Sequence, residues 1–457
     1  MDRTMLIVGP LLGAAAAWAA SLSGLGAAAA WTAAVVVLCA VWWVSEPVPI
    51  PATSLIPIAL FPLVGVLTPA EVGQAYGNPL VLLFLGGFLL STAMERSGAH
   101  RRTALSMVSL FGASNGRWLV GGFMLAAGVL SMWISNMATT LMLLPIALAV
   151  IEQTDDRKLQ TALMLGIAYA ASIGGIGTPI GTPPNLVFMQ VYRSVAGSEP
   201  TFLEWMSWSL PVAIVMGPLA MLWLTRNLGK SSPIELPSAG EWRSEELRTL
   251  TVFAVTTVLW ITRKEPFGGW SGWASLLQAN DASVALLAAV AMFLIPNGRG
   301  ERLLDWETAV RIPWGILILY GGGIAIATAF TSSGLSNAIG ESLSSVAGTP
   351  VPVLIAMVCM VVTFLTEVTS NTATATLLMP FLAAVAHGAG VDPRVLMVPA
   401  TLSASFAFML PVATPPNAVV FGTGCVGMRT MATEGFVLNL IGVAVVTAVC
   451  SWTFATF

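Results

Sequence analysis

Two short polar turns, Ser135-Asn136 and Ser370-Asn371, interrupt apolar stretches of this sequence, and each could hold an ion. In hydrocarbon, every backbone N–H and C=O needs a partner. A chain break there ends one helix in bare carbonyls, which suit a cation. It starts another with bare N–H groups and the positive end of a dipole, which suit an anion. Ser hydroxyls and Asn carboxamides serve either ion. A second pair of breaks reads Thr182-Pro183-Pro184-Asn185 and Thr414-Pro415-Pro416-Asn417. Consecutive prolines stop a helix and free backbone groups. Gly181 and Ala413, just ahead, are small enough for a ligand to come close. A single such break is explained equally well by an ordinary kink in a membrane helix; matched pairs in register are not.

Absences narrow the chemistry. None of the 19 Lys and Arg falls in these four segments. An anion held here would rely on dipoles, hydroxyls and bound cations rather than an arginine clamp. Proton-driven carriers show acidic or histidine relays within their spans. The clear acid in an apolar run is Glu367, read as a structural partner of hairpin backbone, with cation binding as the alternative. His100 and His387 read as solvated or structural. No nucleophile–base pair, metal cluster or acidic dyad points to an enzyme. Cys39, Cys359, Cys425 and Cys450 match no metal spacing and read as small apolar residues. Sixteen Trp, among them Trp42, Trp43, Trp205 and Trp208, lie near run ends and read as interface anchors.

The elements that must position these breaks are set by composition. Of 457 residues, 56% are hydrophobic and 9% charged, against about 25% charged in soluble domains. So apolar a chain belongs in lipid. A net charge of −3 argues against a nucleic-acid partner. Apolar runs near 5–20, 27–45, 50–68, 78–94, 160–190, 208–225, 249–262, 282–296, 313–331, 396–424 and 435–456 give eleven expected crossings. The first is read as a span rather than a signal peptide, because no clear cleavage site follows it. Regions 118–151 and 350–387 each hold two shorter runs around a Ser-Asn turn, as re-entrant hairpins would. With the N-terminus in the cytoplasm, only Arg193, Arg263, Lys264 and Arg394 of the 19 basic residues face outward, as the positive-inside rule requires.

The chain also repeats itself. Gly86-Gly87 with Gly98 recurs as Gly322-Gly323 with Gly334, at offset 236. Ser135-Asn136 with Pro145 recurs as Ser370-Asn371 with Pro380, at offset 235. The Thr-Pro-Pro-Asn segments recur at offset 232. Each half carries five crossings and a hairpin, and five is odd, so the halves are inverted. The expected fold is an all-α polytopic membrane protein with eleven transmembrane helices and two re-entrant hairpins in two inverted repeats. Its segments are a first span (1–26), a first repeat (27–225), a cytoplasmic linker (226–248) and a second repeat (249–457).

These paired turns and breaks resemble those of the divalent anion/sodium symporter family. Trp43-Val44-Ser45-Glu46-Pro47-Val48-Pro49, Leu85-Gly86-Gly87-Phe88 and Gly98-Ala99-His100-Arg101-Arg102 are similar to its early segments. The resemblance covers nearly the whole chain. It implies a homodimer in the bacterial inner membrane that moves C4-dicarboxylates such as succinate with sodium, by an elevator-type motion. No cofactor is implied beyond sodium as coupling ion. It implies one sodium site at Ser131, Ser135, Asn136 and Gly181, and another at Thr366, Thr369, Asn371 and Ala413. Substrate carboxylates would meet Ser135, Asn136, Thr182 and Pro183 from one half, and Ser370, Asn371, Thr372, Thr414 and Pro415 from the other. The family's first tip usually reads Ser-Asn-Thr, and Met137 here removes a hydroxyl. A lost hydrogen bond to a charged group costs roughly 1.5–3 kcal/mol, about 10- to 150-fold in affinity. Sodium-independent exchange, carriage of another divalent anion such as sulfate, and proton-coupled export are the alternatives.

Overall fold

The computed structural model describes residues 3–111, 115–229, 236, 240–265, 267–342 and 349–454. Residues 230–235 and 237–239 of the expected linker, Lys230 among them, lie outside these. Among the described residues the secondary structure is helical, apart from an isolated bridge between Pro296 and Arg302. Seven helical stretches are long and apolar enough to cross a bilayer: Thr4–Leu22, Ala27–Ser45, Pro69–Ser97, Phe202–Thr225, Trp314–Ser332, Asn371–Ala389 and Met428–Thr453. Shorter apolar helices fill the rest, including Ile50–Leu63, Gly116–Ser131, Asn136–Ile151, Asp281–Leu294, Val351–Leu365 and Arg394–Ala404.

Each Ser-Asn turn separates two helices, Gly116–Ser131 from Asn136–Ile151 and Val351–Leu365 from Asn371–Ala389. The new helix starts there because Ser135 and Ser370 are good N-caps: their hydroxyls accept from the N–H groups of Ala138 and Ala373. Each Thr-Pro-Pro-Asn segment likewise starts a helix, Pro183–Ala196 or Pro415–Gly422, with proline at the first helical position, where its missing N–H costs nothing. The preceding helices, Arg157–Gly175 and Arg394–Ala404, end several residues earlier, leaving non-helical backbone between.

The halves interlock. Asn136–Ile151 packs on Pro415–Gly422 of the other half, and Asn371–Ala389 packs on Pro183–Ala196. Within each half, glycines let backbones touch. A methyl at Gly174 would lie 2.0 Å from the Gly128 carbonyl oxygen, and one at Gly435 would lie 2.1 Å from that of Phe408. Elsewhere Pro79–Ser97 packs on Asp281–Leu294, and Trp314–Ser332 on Leu55–Leu63 and Pro69–Tyr76. Ion pairs join distant segments: Arg96 to Glu301 and Asp305, Arg102 to the buried Glu246, and Arg226 to Glu434.

The tryptophan expectation needs correction. Trp43, Trp205 and Trp208 are buried, not anchored at an interface. Trp43 donates to the Ser54 hydroxyl and Trp205 to the Ile176 carbonyl, so each is a core residue with a satisfied indole N–H. Trp42 is half-buried and donates to the Met5 carbonyl, joining the first two helices. Trp18, Trp118 and Trp452 do remain exposed. Cys39, Cys359 and Cys450 are buried. His100 Nδ1 lies 3.0 Å from the Met94 carbonyl oxygen, and His387 sits in the last turn of Asn371–Ala389.

Candidate functional site

The first turn and the first proline break form one polar cluster. Ser131, fully buried at the end of its helix, donates to Asn136 Oδ1 at 2.5 Å. The Asn136 carboxamide lies against Gly175, where a methyl would come within 2.6 Å of its oxygen. At Gly181 the backbone is enclosed by oxygen: a methyl there would meet the carbonyls of Gly175 at 2.4 Å and of Ser131 and Met132 at 3.0 Å. Three carbonyls converging on one glycine are the donor set a hard monovalent cation takes. The Thr178 hydroxyl donates to the Met132 carbonyl and closes that side. Thr182 is buried, Pro183 is half-buried, and the Pro183 carbonyl accepts from the Tyr320 hydroxyl at 3.2 Å.

The second half repeats the plan with different residues. Thr366, fully buried, lies 3.0 Å from Asn371 Oδ1 and 2.9 Å from the Ala404 carbonyl oxygen. Thr369 is spent inside the hairpin, bonding the Leu365 carbonyl and the Thr374 hydroxyl. Thr414 is buried and caps its helix by accepting from the Asn417 N–H. Ala413 is buried, Thr372 half-buried and Pro415 exposed. Ser135 is exposed, while Asn136, Ser370 and Asn371 are half-buried. Both Ser hydroxyls accept from backbone, which leaves their hydrogens to donate. The two carboxamides turn their oxygens toward buried hydroxyls, and their amide nitrogens have no recorded protein partner among the described residues. Each turn therefore offers oxygen on its buried side and N–H or O–H donors on its open side. Met137 is 47% exposed at the first tip, in the register position where the second half has Thr372.

Glu367 takes the structural role. Its Oε1 accepts from the N–H groups of Phe408 and Met409 and from Asn439 Nδ2, at 2.7, 2.9 and 2.7 Å. Its Oε2 accepts from the N–H groups of Met409 and Leu410, both at 3.1 Å. The carboxylate thus holds the non-helical backbone of the second break. Met132 occupies the matching position of the first half, at offset 235.

Sequence reasoning missed the roles of four residues. Asn439 is a lone carboxamide in an apolar helix, a signal that could have flagged it. Tyr169, fully buried, donates to the Phe408 carbonyl across the halves at 2.6 Å. Asn185 and Asn417, seen only as parts of a motif, bridge their breaks. Asn185 Nδ2 donates to the carbonyls of Gly175 and Thr178, and Asn417 Nδ2 to those of Ala407 and Leu410. Those acceptors correspond at the same offset of 232, so the duplication extends to individual hydrogen bonds.

Apolar helices interrupted at four matched points, with polar groups gathered at the interruptions, make this an integral membrane transporter rather than an enzyme. Comparison with known proteins agrees. The family described as "Sodium:sulfate symporter transmembrane region" matches residues 15–456. The sodium-dependent dicarboxylate transporter SdcS of Staphylococcus saprophyticus is 40% identical, over 97% of this chain and 90% of that protein. SdcS of Staphylococcus aureus is 39% identical, over 96% of this chain and 89% of its own length. The chain belongs to the divalent anion/sodium symporter family. Two solved structures share the fold at 14% identity. They are the YdaH transporter of Alcanivorax borkumensis (TM-score 0.59, covering 86% of this chain and 88% of that one) and MtrF of Neisseria gonorrhoeae (TM-score 0.61, 86% and 84%).

Proposed function

We propose that this protein imports C4-dicarboxylates such as succinate together with sodium, by an elevator-type movement. It works as a homodimer in the bacterial inner membrane, with its N-terminus in the cytoplasm. Eleven crossings and two re-entrant hairpins in two inverted repeats, 27–225 and 249–457, build it. The observation that carries the reading is the pair of two-sided turns. Oxygens of Ser131, Asn136 and Gly175 on one side, and of Thr366, Asn371 and Ala404 on the other, suit sodium ions. The amide nitrogens of Asn136 and Asn371, with the Ser135 and Ser370 hydroxyls, suit two carboxylates. Bound sodium supplies the positive charge that the absent Lys and Arg would otherwise give. Proton-coupled export fares worse, because both Glu367 oxygens are already engaged by donors.

The test is radiolabelled uptake into proteoliposomes against a panel of dicarboxylates and sulfate. Succinate accumulation that needs an inward sodium gradient is expected. Uptake indifferent to external sodium but dependent on internal dicarboxylate would replace symport with exchange. Sulfate uptake without dicarboxylate uptake would move the substrate class, a result the lost hydroxyl at Met137 could produce.

Gly181→Ala gives a sharper check on the first sodium site. Its methyl would occupy the space between three carbonyl oxygens. Overpacking costs about 1–3 kcal/mol. The sodium concentration for half-maximal uptake is expected to rise about tenfold or more, with the protein still monodisperse. An unchanged sodium dependence would show that no ion sits against Gly181.

A further inference from the structure

Asn185 and Asn417 share a feature that their bridging role does not use. Both side chains are fully buried, and in both the carboxamide oxygen has no hydrogen-bond partner. The orientation of each amide is fixed chemically. Its nitrogen faces two carbonyl oxygens, so turning the group over would set oxygen against oxygen. Each Oδ1 must therefore point away from those carbonyls, into the interior. A buried carboxamide oxygen without a donor costs about 1–3 kcal/mol. The same cost is carried twice, at positions related by the repeat. The Gly175 carbonyl that accepts from Asn185 is also one of the three converging at Gly181. Asn185 thus stands beside that oxygen-rich pocket.

We infer that Asn185 and Asn417 are ion ligands, one in each half, whose side-chain oxygens complete a monovalent-cation site. This rests on the sodium-coupled reading above and adds a residue to each site. It gives each carboxamide two tasks: the nitrogen ties the broken backbone together, and the oxygen takes the cation. Cation binding would then brace the break from which the carbonyl ligands come.

Sodium-dependent thermal stabilisation of the purified protein tests this without substrate or transport. A ligand that binds only the folded state raises stability with the logarithm of its concentration above Kd. The midpoint is followed from low to high sodium at constant ionic strength with choline. Asn185→Ala and Asn417→Ala lower the baseline midpoint because each break loses two hydrogen bonds. If the oxygens are ligands, each variant also shifts the onset of sodium stabilisation about tenfold higher. Asn185→Asp and Asn417→Asp keep the inward oxygen and add a charge but set the second oxygen against the two carbonyls, so their baseline midpoint falls as well while their sodium onset returns to the wild-type range or below it. Alanine and aspartate variants that run parallel to wild type at lower midpoints would overturn the inference, leaving the oxygens hydrated by buried water. A wild type that ignores sodium in both stability and uptake would instead sink the transport reading.

Discussion

Asn136→Ala and Asn371→Ala are each expected to abolish sodium-coupled uptake while leaving the protein folded. Each asparagine stands at the start of a helix and has a buried hydroxyl bonded to its oxygen, Ser131 at 2.5 Å and Thr366 at 3.0 Å. Removing the Asn136 carboxamide strands the Ser131 hydroxyl, which costs about 1–3 kcal/mol, while Thr366 keeps the Ala404 carbonyl. Either substitution also removes the proposed donor to the substrate, worth roughly 1.5–3 kcal/mol when the partner is charged. The two together place kcat/KM for succinate about 100-fold or more below wild type. The turns are only half-buried, so the loss falls on function more than on folding. The check is initial-rate uptake in proteoliposomes, normalised to monodisperse protein. Wild-type sodium-coupled rates in both variants would remove the two turns from the site.

Glu367→Ala should act mainly on stability, and through it on transport. The side chain is 3% exposed and accepts from three consecutive backbone N–H groups and from Asn439. Its removal leaves all four donors without that partner inside the protein. Even with water replacing some of these bonds, the cost is about 3 kcal/mol or more. The thermal midpoint in detergent is expected to fall by about 5 °C or more. Glu367→Gln keeps the shape but puts an amide donor among donors, so it should fall between alanine and wild type. An unchanged midpoint for Glu367→Ala would mean that another group holds the Phe408–Leu410 backbone. A proton-relay role predicts the opposite pattern for Gln, with normal stability and no transport.

Much of this was legible because lipid leaves few alternatives. Helix breaks inside apolar runs are costly, so Ser135-Asn136, Ser370-Asn371 and the two Thr-Pro-Pro-Asn segments announced themselves. The helices begin at Asn136, Asn371, Pro183 and Pro415, at the second residue of each Ser-Asn turn or at the first proline. What lay hidden was rotation and pairing. A tryptophan near the end of a run reads as an interface anchor, yet Trp205 faces inward to the Ile176 carbonyl. Hydropathy gives a helix its length but says little of which face meets protein when nearly every residue is apolar. The contact of Tyr169 with the Phe408 carbonyl spans 239 positions in the chain. No local pattern encodes such a contact, nor the choice of Asn439 as the partner of Glu367. The partners of the Thr369 hydroxyl were hidden for a related reason. The family resemblance implies a sodium ligand there, and the hydroxyl also bonds a threonine one turn along the next helix.

The cross-packing of the two halves bears on how the protein is made. Asn136–Ile151 rests on Pro415–Gly422, and Pro183–Ala196 rests on Asn371–Ala389, so during synthesis the earlier hairpin leaves the ribosome more than two hundred residues ahead of its neighbour. Until the late segments arrive, its broken backbone sits in the bilayer without the surface that covers it. The nascent first half must therefore be sheltered by water, lipid headgroups or the insertion machinery, and the proposed ion site is among the last parts of the molecule to form.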